Sequence, residues 1–294
     1  MIFRPVRPTL SLAATACLGV AILTPTGSAT AQARGAGAGA GAFTQTRDYA
    51  MYEPAKPTPG ACAPLAVISR GLGAGNSPMR SLATALSQDG WRVVVMRHPE
   101  GSRSMFEGRL VRSGRLLPKT GDETDPVSLR RRADAIDGAI NMARKSCVPP
   151  FMALIGHAGG STTTLIEGGA QPRFAVPAKD RFGAYVAISP AGGTSGVFNR
   201  DSWKTLAKPT LVVTGTRDIR VRGGWRPRTA AYEGMAPGSK RLAIVNNATH
   251  IALGGLGSPA VRLKVARIVV DFVDDARRGE LKADPVAGVE FKEK

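Results

Sequence analysis

Histidine is the side chain best suited to exchange a proton near neutral pH, and this chain has only three: His98, His157 and His250. Each sits at or just past the end of an apolar run that reads as a buried strand, Arg92–Met96, Phe151–Gly156 and Arg241–Asn246 respectively. The C-terminal rim of an open α/β sheet is where such folds bind ligands. Three histidines on one rim therefore predict a site there. Asp218 follows a fourth run, Thr210–Thr214, and reaches the same rim. It is expected to form a functional or relic pair with His250. The competing expectation for Asp218 is a helix cap, or a partner for Arg217 and Arg220.

The stretch Leu154-Ile155-Gly156-His157-Ala158-Gly159-Gly160 lies where a buried strand meets a helix. A G-x-S-x-G turn at such a junction lifts a serine above the sheet, and its glycines let strand and helix approach closely. This chain reads G-x-A-x-G, with Gly156 and Gly160 in place and Ala158 at the apex. Through these residues it resembles the α/β-hydrolase family, nearest to its secreted dienelactone-hydrolase-like and polyester-hydrolase-like esterases. The similarity runs from about Pro64 to Phe272. Ser69-Arg70-Gly71-Leu72-Gly73 stands where the family usually reads His-Gly, and the stretches ending in Asp218 and His250 match its acid and histidine loops.

The resemblance implies a mostly parallel central sheet flanked by helices. It also implies the order nucleophile, acid, base at positions 158, 218 and 250, with oxyanion-hole amides from Leu72 and Gly159. The departure is chemical: a methyl group cannot attack a carbonyl, and losing the nucleophile of such a triad costs about a million-fold in turnover. Ser161 and Ser189 are the alternative hydroxyls. Ser161 should point away inside the helix, and Ser189 is expected to cap the loop before Pro190. A water activated by His250 is a third option. Gly71-Leu72-Gly73-Ala74-Gly75 suggests a dinucleotide fingerprint, but Asn76 stands at the final glycine position and no acid ends the next strand. The cysteines and histidines are too dispersed for metal ligation, so neither metal nor cofactor is expected.

The elements that must position these residues alternate in a parallel-sheet pattern. The runs Leu65–Ser69, Arg92–Met96, Phe151–Gly156, Gly183–Ser189, Thr210–Thr214 and Arg241–Asn246 are rich in Val, Ile and Leu, as strands buried on both faces are. Helices are expected after Ser77-Pro78, after Asp125-Pro126 with Leu129, Ala133, Ile136, Ile140 and Ala143 on one face, and from Pro259 with Val261, Val265, Ile268 and Phe272. The insertion Gly101–Glu123 is read either as a functional loop or as a surface excursion. Trp203 and Trp225 either line a pocket or pack helices on the sheet. Residues 34–50 form a Gly/Ala-rich tether, 51–277 the α/β domain, and 278–294 a charged, loose tail.

Arg4 and Arg7, the apolar stretch Leu10–Leu23 and Ala31-Gln32-Ala33 read as a signal peptide over residues 1–33, cleaved after Ala33. An uncleaved anchor is the alternative, although the stretch is shorter than the roughly 20 residues a span requires. Export would leave Cys62 and Cys147, which precede two of the predicted strands and could bridge if those strands are neighbours; two free thiols are the alternative. Loss of the signal, with two arginines and no acid, lowers the formal charge from +18 to +16. Such an excess favours anionic envelope surfaces, whereas scattered basic residues without interleaved aromatics argue against nucleic acid. Three functions remain: an impaired relic of a serine esterase that keeps an acyl or ester pocket, an active hydrolase with another nucleophile or water, and an envelope-binding protein.

Overall fold

A computed structural model describes residues 32–33, 41–46, 48–71, 79–98, 126–192, 196–219, 224–282 and 284–294. The calls on the signal segment up to Ala31, on Leu72 and on the insertion Gly101–Glu123 fall outside these residues, as does the expected helix start at Ser77-Pro78.

The apolar runs form the middle of one sheet. Its strands are β1 (Gln32–Ala33), β2 (Phe43–Gln45), β3 (Tyr49–Tyr52), β4 (Leu65–Ser69), β5 (Arg92–Met96), β6 (Met152–His157), β7 (Ala184–Ile188), β8 (Thr210–Arg217), β9 (Lys240–Thr249) and β10 (Val289–Glu293). They lie side by side in the order β1-β2-β3-β5-β4-β6-β7-β8-β9-β10. Strands β5 through β9 of that order pair in parallel, while β1, β2, β3 and β10 add antiparallel edges. The chain is an α/β protein with a mostly parallel sheet.

Alternate residues of each central strand face opposite layers, because a strand points successive side chains to opposite faces. Ala66, Ile68, Val93, Val95, Ile155, Val186 and Val213 share one core with α1 (Arg80–Gln88) and α6 (Pro259–Arg278), through Leu82, Leu86, Val265, Ile268 and Phe272. Leu65, Val67, Val94 and Leu154 meet Ile136, Ala139 and Ile140 of α2 (Pro126–Arg144) on the other face. Beside them α3 (Gly159–Glu167) packs Leu165 and Ile166 against Ala187 and Val212. Trp203 is buried in that same cluster and Trp225 packs against its edge, so among the two readings of these tryptophans both do packing work.

Two segments differ from the sequence expectation. Part of the tether is strand: Phe43–Gln45 pairs with Tyr49–Tyr52, which pairs with β5. The charged tail is likewise tied down, since Val289–Glu293 runs antiparallel to β9 and Glu293 ion-pairs with Arg241 at 2.7 Å. Both cover the open hydrogen-bonding rows of a sheet edge, which local composition does not reveal. Cys62 and Cys147 lie at disulfide distance, Cα to Cα 5.8 Å, beside the N-terminal ends of the neighbouring strands β4 and β6.

The order in which successive strands are added reverses at β4, which has β5 on one side and β6 on the other. A crevice at the carboxyl ends of strands on either side of such a switch is the usual ligand site of open α/β sheets. The turn that follows β6 lies there.

Candidate functional site

The turn between β6 and α3 is built on two glycines that cannot be replaced without collision. A Cβ on Gly156 would stand 2.1 Å from the Gly160 carbonyl oxygen and 2.4 Å from Thr164 Oγ1. A Cβ on Gly160 would stand 2.0 Å from the Ser69 carbonyl oxygen at the end of β4. Bare backbone therefore lets α3 start hard against the sheet. The residue at the apex, Ala158, has φ 52° and ψ −118°. An L-residue is held there only by its surroundings, at a cost of about 1–3 kcal/mol. Its N–H donates to the Ile188 carbonyl at 3.0 Å, and its carbonyl accepts from the Ser161 N–H at 2.9 Å. Gly159 is the first residue of α3, so its N–H has no acceptor within the helix.

Five of the described non-glycine residues have positive φ, and three of them, Ala158 (52°), Ser189 (53°) and Asn247 (56°), lie at or near the C-terminal ends of β6, β7 and β9; Met79 and Asp180 are the other two. Strain concentrated on one rim is a mark of a functional region.

His250 is delivered by β9 and a short helix, α5 (His250–Leu253), whose start is capped by Thr249: its side chain accepts the Ala252 N–H at 3.3 Å. Asp218 is delivered by β8, whose pairing with β9 shifts register between Gly215 and Arg217. Bulges of this kind re-aim side chains beside sites. The two meet: His250 Nδ1 lies 3.1 Å from Asp218 Oδ1. The imidazole is 37 % exposed, whereas the carboxylate is fully buried. No hydrogen-bond partner for His250 Nε2 is found among the described residues.

Asp218 is more heavily engaged than its sequence surroundings suggest. Arg228 Nε sits 2.7 Å from the same Oδ1, with both groups almost wholly buried. Thr214 Oγ1 donates to Oδ2 at 3.0 Å. Arg228 also donates to the backbone carbonyls of Asp218, Ser189 and Pro190 at 2.9, 3.2 and 3.0 Å. It follows Trp225 in a 3₁₀ turn (Arg226–Thr229) leading into α4 (Ala230–Gly234), and sequence reasoning missed it. Of the arginines expected as alternative ion partners, Arg220 lies outside the described residues; among the described ones, the arginine buried against Asp218 is ten residues on, placed by the fold rather than by neighbourhood.

His157 lies beside His250 with ring centroids 4.8 Å apart and the planes tilted by 39°, and its Nε2–H donates to the His250 carbonyl at 3.1 Å. Burial, assisted by the neighbouring His250 charge, pushes its pKa down to about 3, so it stays neutral and holds the His250 backbone. His98 belongs to a separate buried cluster. Its Nε2 is 2.9 Å from Ser69 Oγ, and burial with the charges of Arg132 and Arg70 holds its pKa well below the ordinary value. The fold therefore joins His157 and His250 and sets His98 apart. Arg70, which stands in the expected oxyanion loop, turns back to donate from Nε to the Met96 carbonyl at 3.1 Å.

Of the alternative serines, Ser161 turns inward as expected and Ser189 does not cap its loop. Ser161 is fully buried and donates to the Ala158 carbonyl at 2.5 Å. Ser189, expected to cap its own loop, instead places Oγ 2.6 Å from His250 Nδ1. The correction has a simple cause: its left-handed backbone turns the hydroxyl across to the histidine that follows β9 instead of along its own chain. No group of three or more His, Cys, Asp or Glu able to hold a metal occurs among the described residues, and no described helix is long and apolar enough to cross a membrane. In comparisons with known proteins, the sequence matches no family model and no curated protein.

Proposed function

We propose that the chain has an α/β-hydrolase fold and descends from serine ester hydrolases, with Ala158 at the nucleophile position, His250 as the base, Asp218 as the acid and Gly159 as one oxyanion donor. On this reading it is catalytically impaired and keeps an ester or acyl site at the rim. The observation that carries the proposal is the backbone of Ala158. An alanine gains nothing from φ 52°, ψ −118° between two glycines whose missing Cβ atoms make the turn close. A serine there would gain an exposed, activated hydroxyl. The adjoining Asp218–His250 contact supports the same assignment.

Export from the cytoplasm is part of the proposal. The disulfide distance between Cys62 and Cys147 supports it, because such bridges persist in oxidising compartments.

The test is a pair of assays on the wild type and Ala158→Ser: turnover of short p-nitrophenyl esters and labelling by a fluorophosphonate. The wild type is expected to do neither, and the serine variant to gain labelling or turnover. Robust wild-type hydrolysis abolished by His250→Ala would instead assign the reaction to a water or another hydroxyl. A serine variant inert in both assays, with salt-sensitive binding of the wild type to anionic lipid vesicles, would favour an envelope-binding protein.

A further inference from the structure

A neutral imidazole has one proton and one in-plane position on each nitrogen, so Nδ1 either donates or accepts. Two groups converge on His250 Nδ1, and they make opposite demands. Asp218 Oδ1, 3.1 Å away, can only accept, and so asks for a proton on Nδ1. Ser189 Oγ, nearer at 2.6 Å, has a hydroxyl proton to give and asks for a lone pair there.

The balance favours serine. Ser189 is fully buried, and His250 Nδ1 is the only hydrogen-bond partner of its hydroxyl among the described residues. Were Nδ1 protonated, the serine could accept from it, but its own O–H would be left buried and unsatisfied, a state that folded proteins avoid. Asp218 has no such need. Its Oδ1 is ion-paired with Arg228 at 2.7 Å and its Oδ2 accepts from Thr214 at 3.0 Å. Both carboxylate oxygens stay satisfied, and the charge stays compensated, without the imidazole.

We propose that Ser189 is a positioning residue that holds neutral His250 as the Nε2–H tautomer, turning the nitrogen that faces away from Asp218 into a hydrogen-bond donor. In this state the histidine offers a proton outward, toward a carbonyl or carboxylate oxygen, and cannot collect one from a hydroxyl. Arg228 enforces the choice in two ways: it weakens the pull of Asp218, and its bonds to the Ser189 and Pro190 carbonyls hold the serine in place. The remaining neighbour, His157, is neutral; its ring packs against the imidazole, and among the described residues its hydrogen bond goes to the His250 backbone carbonyl and not to the ring. The consequence for catalysis rests on reading His250 as the base; the tautomer does not.

The test is nitrogen-15 NMR of the imidazoles in the full mature protein at pH 8, with the His250 signals assigned by their loss in His250→Gln. Wild-type His250 is expected to carry its proton on Nε2 by about ten to one, the bias an orphaned buried donor imposes. Ser189→Ala should move the proton to Nδ1, where Asp218 accepts it. Ser189→Gly removes the same hydroxyl while accommodating φ 53° freely, and should do the same if the alanine variant folds poorly. A wild-type His250 protonated on Nδ1, or a tautomer unmoved by either variant, would overturn the proposal. A purely structural serine would alter stability without moving the proton between nitrogens. In an Ala158→Ser background, Ser189→Ala should raise ester turnover about tenfold by the same population shift. Should Ala158→Ser and the double variant both be inert while the proton moves, the hydrolase reading fails and the assignment of Ser189 stands.

Discussion

Replacing Ala158 by glycine should stabilise the protein, against the usual direction of an Ala→Gly change. Three contributions decide the sign. Ala158 occupies φ 52°, ψ −118°, outside the regions open to L-residues, and relaxing that strain is worth about 1–3 kcal/mol. Glycine loses more chain entropy on folding, which costs about 0.4–1 kcal/mol. The methyl group is only half-buried, so removing it forfeits a few tenths of a kcal/mol, at about 25 cal/mol per Å². The net gain is about 1 kcal/mol, which for a domain of this size raises Tm by roughly 2–4 °C. Urea and thermal unfolding followed by circular dichroism, with wild type and variant side by side, measure it. A loss of about 1 kcal/mol, as glycine causes at an ordinary helical position, would refute the reasoning. It would mean that the backbone at 158 is unstrained and that the turn has no special geometry for a side chain to be lifted on.

The neighbouring glycine should behave oppositely: Gly160→Ala drives a Cβ to 2.0 Å from the Ser69 carbonyl oxygen, backbone against backbone, and should cost about 3 kcal/mol or more in urea unfolding. Acid should unfold the protein through histidines that the fold keeps neutral. His157 has its pKa lowered to about 3 and His98 well below the ordinary value, burial being the main cause in each, so the unfolded chain binds protons that the folded one does not. Their contribution is therefore complete above about pH 6.5 and lost as pH falls toward the folded values, with a slope near 1.4 kcal/mol per pH unit for each histidine. Urea midpoints from pH 7 to 4 should fall accordingly, and His157→Gln should flatten the decline; midpoints constant over that range would contradict it. Thiol titration of the denatured, unreduced chain starting at Arg34 should find no free cysteine, and replacing both Cys62 and Cys147 with alanine, opening a loop of 85 residues, should destabilise by about 4 kcal/mol. Two reactive thiols would refute the bridge.

Much of the frame was legible along the chain because burial on both faces leaves a compositional trace. Leu65–Ser69 and Arg92–Met96 can be bounded to the residue, since five-residue apolar runs between polar turns have no other economical use in a parallel sheet. The helix starts at Pro126 and Pro259 are equally visible, because proline suits a first helical turn. The edge strands were not visible. Phe43–Gln45, Tyr49–Tyr52 and Val289–Glu293 are short and partly exposed, and they are strands because a neighbour offers them unpaired backbone groups.

The same division runs through the site. By itself the sequence determined which residues stand at the rim: a glycine-flanked alanine after one strand, an aspartate after a later one and a histidine after the last, since chain order and strand ends are local properties. It determined also that no hydroxyl occupies position 158. Only the tertiary structure decided what those residues touch. Arg228 reaches Asp218 from a 3₁₀ turn, and Ser189 reaches His250 across 61 positions of sequence. Neither contact leaves a periodic or compositional signature, because each depends on where separate loops set a single atom. A hydrogen bond is won or lost over a few tenths of an ångström, a distance that the packing of the whole sheet sets and that no stretch of chain encodes alone.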